Sequence, residues 1–314
     1  MRVIYMGTPD FAVPCLQKII EKEHEVVAVF TQPDKPKGRG NKMTMPPVKE
    51  LALEHNIAVY QPNKIKTPEM VELIRDLEPQ IIIVVAYGHL LSKEILDIPP
   101  FGCINVHASL LPKYRGAAPI NWAIINGEEV TGNTTMYMDV GMDTGDIILK
   151  DSLTIGEDET AGELHDRLSI MGADLLLNTI DLIERGEVER QKQNDEEATY
   201  APIMNKELGN IDWNKSAFEI KNLIRGTNPW PSAFTTYQDK TMKIWKSRVE
   251  KIDETYPAGK IIRVTKEEVF VGTGKDMLVI QELQFSGGKR LSVKDFLVGN
   301  HIDEDVILGE DYNL

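Results

Sequence analysis

Short apolar runs and amphipathic stretches take turns over the first third of the chain. Residues 2–7 are hydrophobic, and residues 10–23 have the spacing of a helix. Residues 25–31, with Val26, Val27, Val29 and Phe30, and residues 57–60 read as two further buried strands. The strongest signal lies over 80–86, where Ile81-Ile82-Ile83-Val84-Val85 is β-branched and apolar throughout. Such a run suits a central strand covered on both faces. Helices are predicted over 47–55 and 67–77, and 102–107 would be the next parallel strand. Strands alternating with helices predict a doubly wound, mostly parallel α/β sheet of Rossmann-like type.

The pattern changes at Val130. Residues 134–139 and 146–155 alternate and read as an antiparallel addition joined by 140–145. A long helix follows over 160–185. Thr160 and Glu163 make a capping box, Leu164, Leu168, Met171, Leu175 and Leu182 an apolar stripe, and Gly186 a stop. Residues 187–206 are polar and weakly patterned. Short strands at 233–237, 242–249, 259–264, 268–273 and 276–283, with Gly turns between them, predict a small OB-like β-barrel. The expected division is a first domain over 1–189, a linker over 190–206 and a β-barrel domain over 207–314.

Composition narrows the classes. A hydrophobic share of 42% and a charged share of 27% are those of a globular protein. No apolar run approaches the roughly 20 residues that span a bilayer, and the first residues lack a signal-peptide pattern. Cys15 and Cys103 give neither a disulfide framework nor metal-ligand spacing, so no metal is expected. A cytoplasmic monomer is the simplest expectation. The net charge of −14 speaks against indiscriminate nucleic-acid binding but leaves room for a local basic face. Lys240, Lys243, Lys246, Arg248 and Lys251 cluster, opposed only by Asp239 and Glu250; strand alternation predicts that only some share a face. The 31–47 connection carries Lys35, Lys37, Arg39 and Lys42 against one acid, Asp34. It is longer than such connections usually are, which marks it as functional or disordered.

The richest chemistry lies between Cys103 and Gly116. Asn105 and His107 are two positions apart at the end of a strand and so point the same way. An amide donor beside an imidazole can hold an oxyanion and manage a proton. The turn Ser109-Leu110-Leu111-Pro112, stiffened by Pro112, leaves that strand, and a second loop at 141–146 brings Asp143 between glycines. The turn Gly7-Thr8-Pro9-Asp10 lacks the G-x-G-x-x-G fingerprint, and no Walker A pattern occurs, so a nicotinamide dinucleotide is not expected.

The segments Asn105-Val106-His107-Ala108-Ser109-Leu110-Leu111-Pro112 and Asp139-Val140-Gly141-Met142-Asp143-Thr144-Gly145-Asp146 resemble the signature of folate-dependent formyltransferases. Similar likenesses lie in Gly7-Thr8-Pro9-Asp10-Phe11, Thr31-Gln32-Pro33-Asp34, Val85-Ala86-Tyr87-Gly88 and Arg115-Gly116-Ala117-Ala118-Pro119-Ile120. Ile211-Asp212-Trp213 and Asn228-Pro229-Trp230-Pro231 extend the likeness over nearly the whole chain.

The resemblance implies Asn105, His107 and Asp143 as catalytic residues and Ser109, Leu110, Leu111 and Pro112 as a folate-binding turn. It implies 10-formyltetrahydrofolate as donor, with no metal or nicotinamide. The implied acceptor is the methionine amino group on initiator tRNA, contacted by Arg39, Lys37 and Lys42 of the basic loop. The charge pattern of the barrel adds Lys243, Lys246 and Arg248 as candidates on a positive face. In the implied chemistry Asn105 and protonated His107 stabilise the oxyanion, while Asp143 orients His107 and helps move the proton. Cys103 packs and forms no covalent intermediate. His89 is a second histidine near the site, Asp139 and Asp146 compete with Asp143, and Asp146 is expected to satisfy loop backbone. Two other readings stay open. One is transfer to a small amine, such as a nucleotide precursor or an amino sugar, and the other is a non-catalytic RNA-binding protein.

Overall fold

The apolar run at Ile81–Val85 is buried from end to end and lies near the middle of a seven-stranded sheet. The computed structural model describes residues 1–37 and 42–310, with only the backbone of Lys37. It divides into two compact units. The first comprises Met1–Pro119, Val130–Leu153 and His165–Ala201; the second comprises Ile120–Glu129, Thr154–Leu164 and Pro202–Leu314.

In chain order the strands of the first unit are β1 (Arg2–Gly7), β2 (Glu25–Phe30), β3 (Lys35–Lys37), β4 (Lys42–Thr44), β5 (Val59–Tyr60), β6 (Ile81–Val85), β7 (Cys103–His107), β8 (Arg115–Gly116), β9 (Val130–Tyr137), β10 (Ile147–Thr154) and β11 (Tyr200–Ala201). The main sheet has the order β10-β9-β7-β6-β1-β2-β5, parallel from β5 to β7 and antiparallel at β7–β9. Strand order reverses between β1 and β6, so the carboxyl ends of β1, β6 and β7 border the crevice where such sheets take ligands.

The helices are α1 (Val13–Glu21), α2 (Pro47–Glu54), α3 (Pro68–Asp76), the short α4 (Lys93–Leu96), α5 (Pro119–Ile125) and α6 (Ala161–Arg185). Four of them fall where the sequence predicts them, and α4 and α5 were not predicted. The stretch 10–23 begins as a 3-10 turn over Asp10–Ala12, and the regular helix starts where a proline fills its first turn. Ile4, Met6, Phe30, Ile82, Val84 and Cys103 build one buried layer with Ile74 and Ile95. Val3 and Tyr5, pointing the other way, are also fully buried, which is why β1 reads as apolar without alternation. Thr160 and Glu163 form the expected capping bonds ahead of α6. Among the described residues no helix is long and apolar enough to cross a membrane.

The second unit contains α7 (Ala217–Gly226), β12 (Ala233–Tyr237), β13 (Lys240–Glu250), β14 (Ile261–Val264), β15 (Val269–Gly272), β16 (Met277–Phe285), β17 (Leu291–Ser292) and α8 (Val293–Leu297). Its antiparallel strands pair in the order β12-β13-β16-β15-β14, with β17 on β16. Ala233, Met242, Ile244, Ile261, Val269, Leu278 and Ile280 face a single core that also takes Ile220 and Ile224 of α7. The prediction omitted α7, although Ser216 and Glu219 form a reciprocal capping box at its start.

Two irregularities in the β13–β16 pairing change the expected surface. The register shifts between Ile244 and Lys246 and again between Lys246 and Ser247. Inward positions therefore run Met242, Ile244, Ser247, Val249, and the outward ones become Lys243, Trp245, Lys246 and Arg248. Simple alternation would have divided these basic residues; the bulged register places them on one side.

Candidate active site

β7 buries Ile104 and Val106 and gives its other face to Cys103, Asn105 and His107. Asn105 lies beside Val84 of β6, and His107 pairs with Thr134 of β9. His107 is 7% exposed, and its Nε2 is 2.8 Å from the Tyr114 carbonyl oxygen. A carbonyl only accepts, so Nε2 carries the proton. That leaves Nδ1 as the nitrogen facing the site.

Asp143 meets this strand end from loop 139–146. Its Oδ2 lies 3.7 Å from His107 Nδ1, and its Oδ1 lies 3.5 Å from Asn105 Nδ2. Both contacts are long for hydrogen bonds, as catalytic contacts often are before substrate arrives. A shorter bond anchors the carboxylate, because the Gly116 amide donates to Oδ2 at 2.8 Å. Asp143 adopts the left-handed backbone conformation at φ 57°, which Asp tolerates better than most residues. Gly145 is required close by, since a Cβ there would fall on the Tyr137 carbonyl oxygen.

The competing carboxylate of Asp139 has other work. Asp139 Oδ1 accepts from the Gly141 amide at 2.9 Å and from Thr144 Oγ1 at 2.6 Å, so it fixes the loop from within. Asp139 thus satisfies loop backbone, a role expected from the sequence for Asp146.

The turn after β7 is held mainly by Thr134. The Thr134 hydroxyl donates to the Ser109 carbonyl at 2.6 Å and accepts from the Leu111 amide at 3.1 Å. Ser109 Oγ donates to the Lys113 carbonyl at 2.6 Å, and Leu111 packs with Met136 and Ile147. The side chains of Ser109 and Leu111 therefore build the turn, while those of Leu110 and Pro112 stay partly exposed.

At the end of β6, Ala86 and Gly88 both take positive φ. The Tyr87 hydroxyl and His89 Nε2 are buried there without a hydrogen-bond partner among the described residues. Their rings meet edge-on at 5.3 Å, and burial pushes the Tyr87 phenol well above its ordinary range. Burial likewise pushes the Cys103 thiol up to about 12, in keeping with a packing residue. His24 lies 3.1 Å from the chain's own amino terminus, and His165 pairs with Asp166 at 2.9 Å.

Sequence reading missed Gln193. It lies in the polar stretch read as a linker, yet its Nε2 donates to the Asp143 and Gly145 carbonyls at 2.8 Å each. Its Oε1 accepts from Arg115, which is 2% exposed. No local pattern marks a residue whose partners are 48 and 78 positions away.

The basic residues separate into distinct cases. Arg39 and the side chain of Lys37 lie outside the described residues, and Lys42 is exposed on β4. Asp34 is engaged by Lys49 at 2.8 Å, which holds its carboxyl below the usual range. Arg248 gives two bonds to Glu268 and one to Glu250, so its charge is matched locally. Lys246 has no ion-pair partner among the described residues, and the Trp245 ring lies between Lys243 and Arg290 at 5.6 and 5.0 Å. Among the described residues no cluster of metal-ligating side chains occurs.

Residues 1–180 match the family described as formyl transferase, and residues 203–301 match the formyl transferase C-terminal domain. The chain belongs to the formyl transferase family. It is 60% identical over 310 residues to a protein of Alkaliphilus oremlandii (strain OhILAs) named methionyl-tRNA formyltransferase, covering 99% of this chain and 100% of that one. A protein of the same name from Clostridioides difficile (strain 630) is 58% identical over 309 residues, covering 98% and 100%. In fold the chain is similar to an N-formyltransferase of Helicobacter canadensis solved with folinic acid and dTDP-3-aminofucose. The TM-score there is 0.69 at 22% identity, covering 93% of this chain and 100% of that one. It is also similar to HypX of Aquifex aeolicus solved with tetrahydrofolic acid, with TM-score 0.63 and 16% identity over 97% and 50% of the two chains.

Proposed function

We propose that this enzyme transfers the formyl group of 10-formyltetrahydrofolate to the amino group of methionine on initiator tRNA, supplying formylmethionyl-tRNA for translation initiation in the cytoplasm. The observation that carries the chemistry is the convergence of Asn105, His107 and Asp143 at the carboxyl end of β7. The end-to-end identity to proteins named for this reaction supports the acceptor.

The residues present suit a folate. Tyr87 and His89 hold buried polar atoms without partners beside the crevice, which the polar edges of a pterin can satisfy. The turn at 109–112 would add the apolar side chains of Leu110 and Pro112. When bound, the folate supplies a formyl group on nitrogen, already activated for transfer.

The chain's own groups then have distinct tasks. The acceptor amine adds to the formyl carbon, a new C–N bond forms, and charge grows on the formyl oxygen. Asn105 Nδ2 is a fixed donor for that oxygen, a contribution on the order of 10²–10³ in rate. His107, its Nε2 proton given to the Tyr114 carbonyl, works through Nδ1. Asp143 faces that nitrogen and accepts a proton from the attacking amine. As the old C–N bond breaks, His107 Nδ1 delivers a proton to the departing nitrogen, so one proton leaves the amine and one reaches the leaving group. No side chain becomes acylated.

For the RNA, Arg39, Lys37 and Lys42 of the basic loop and Lys243, Lys246 and Arg248 of β13 are the proposed contacts. Lys246 is the strongest of the β13 cations because it is exposed and has no ion-pair partner among the described residues, and Arg248 is the weakest. The test is incubation with 10-formyltetrahydrofolate and, in parallel, methionyl initiator tRNA, methionyl elongator tRNA and an amino-sugar nucleotide. Formyl transfer is expected to the initiator tRNA. Transfer to the sugar with none to tRNA would overturn the reading.

A further inference from the structure

Asp143 is held in place by a side chain from well outside its loop. Gln193 donates to two carbonyls, those of Asp143 and Gly145. Both N–H groups of the amide are occupied, and they clasp the loop on either side of Thr144. The other end of the same amide accepts from Arg115 Nε at 3.1 Å and Nη2 at 2.8 Å. The next residue after Arg115 is Gly116, whose amide binds the Asp143 carboxylate. One side chain therefore bolts the loop that carries the carboxylate to the strand that anchors it.

The surrounding chain keeps Gln193 where it is. Ile147 and Gln191 exchange backbone hydrogen bonds at 2.8 and 2.9 Å, and β11 pairs with β8. Arg115 also reaches Asp195 at 2.8 Å. The stretch 191–201 thus runs along both the 139–146 loop and the 112–117 segment. Within the loop itself Met142 is 52% exposed, so packing does little to fix the left-handed turn at Asp143.

We propose that Gln193 is a positioning residue, setting the Asp143 backbone so that its carboxylate faces Asn105 and His107. The inference rests on the catalytic reading of Asp143. A displacement of about 1 Å at a reacting group lowers rates on the order of 10²-fold, which sets the expected size.

The test uses two variants of the full chain. Gln193→Glu keeps an acceptor for Arg115 and removes both donors to the loop; Gln193→Leu removes all of these bonds. Each should lower kcat about 10²-fold while KM for folate and for methionyl-tRNA changes less than about threefold. Gln193→Glu should retain a cooperative melt close to wild type, because its bond to Arg115 survives. In an Asp143→Asn background the further loss from Gln193→Glu should shrink below about threefold, since its route through the carboxylate is gone. An undiminished loss in that background overturns the inference and leaves the reading of Asp143 intact. A rise in KM without a fall in kcat overturns it equally. Near-normal turnover by Asp143→Asn alone overturns the catalytic reading and this inference with it.

Discussion

The strand end at Asn105 and His107 and the outer face of β13 both present polar side chains, but they are built on opposite principles. At the strand end the polar groups are largely withdrawn from water and assigned to fixed partners. His107 is buried against a carbonyl, the Asp143 carboxylate is anchored by an amide, and Arg115 is 2% exposed behind them. On β13 Lys246 is exposed and has no ion-pair partner among the described residues, beside an Arg248 neutralised by two glutamates. Pre-organised donors stabilise a developing charge because they need not reorganise as it forms. Cations that bind a polyanion work by displacing its counterions, which requires accessible charge rather than fixed geometry. The comparison teaches that removing a group should affect rate at the first region and affinity at the second.

The largest effect expected is that of His107→Ala, with kcat falling about 10³–10⁴-fold while binding of methionyl-tRNA stays within about threefold. Rapid-quench formylation and filter binding on the same preparation measure the two. Asn105→Ala should follow at about 10²–10³-fold in kcat, again with little change in affinity. On β13 the pattern should invert. Lys246→Ala is expected to weaken RNA binding several-fold and reduce the slope of log affinity against log salt by about 1, with single-turnover rate at saturating RNA unchanged.

Arg248→Ala sharpens the contrast, since its charge is already matched. RNA affinity should change less than about twofold, and the measurable loss should be stability, on the order of 1 kcal/mol or less for this partly exposed cluster. That loss has a definite pH dependence. The hydrogen bonds from Arg248 hold the Glu268 carboxyl below its usual range. A depressed carboxyl contributes stability above its unfolded pKa, about 4.3, and loses it as pH falls through the lower folded value. Denaturant melts of wild type and Arg248→Ala should therefore differ most above about pH 5 and converge in acid. The smallest effect is expected at Cys103 and Cys15, whose thiols burial pushes up to about 12. Both should resist iodoacetamide at neutral pH in the folded protein and react once it is unfolded.

The parallel sheet was legible in the sequence because its strands are buried on both faces and interrupted by amphipathic helices. Asn105 and His107 were legible for a related reason, since two residues on one strand have a fixed geometric relation. The glycines around Asp143 marked its loop as a special turn, but only the resemblance separated Asp143 from Asp139 and Asp146. Gln193 left no such mark. Its importance lies in bonds to Arg115, Asp143 and Gly145, and a polar residue in a polar stretch gives no period to detect. Which basic residues of β13 share a face was not legible, for a different reason. Strand alternation is a sound rule, but the register shifts around Lys246 arise from pairing with β16, a partner some 35 residues away by number. Helix α7 was not predicted, although Ser216 and Glu219 carry a capping box at its start.

The most direct test of the account is a single-turnover assay of formyl transfer from 10-formyltetrahydrofolate to saturating methionyl initiator tRNA, comparing wild type with His107→Ala. The account predicts rapid formation of formylmethionyl-tRNA by the wild type and a loss of about 10³-fold or more in the variant, with its RNA still bound. A variant that forms the product at a rate near that of wild type would contradict the assignment of the chemistry to the end of β7.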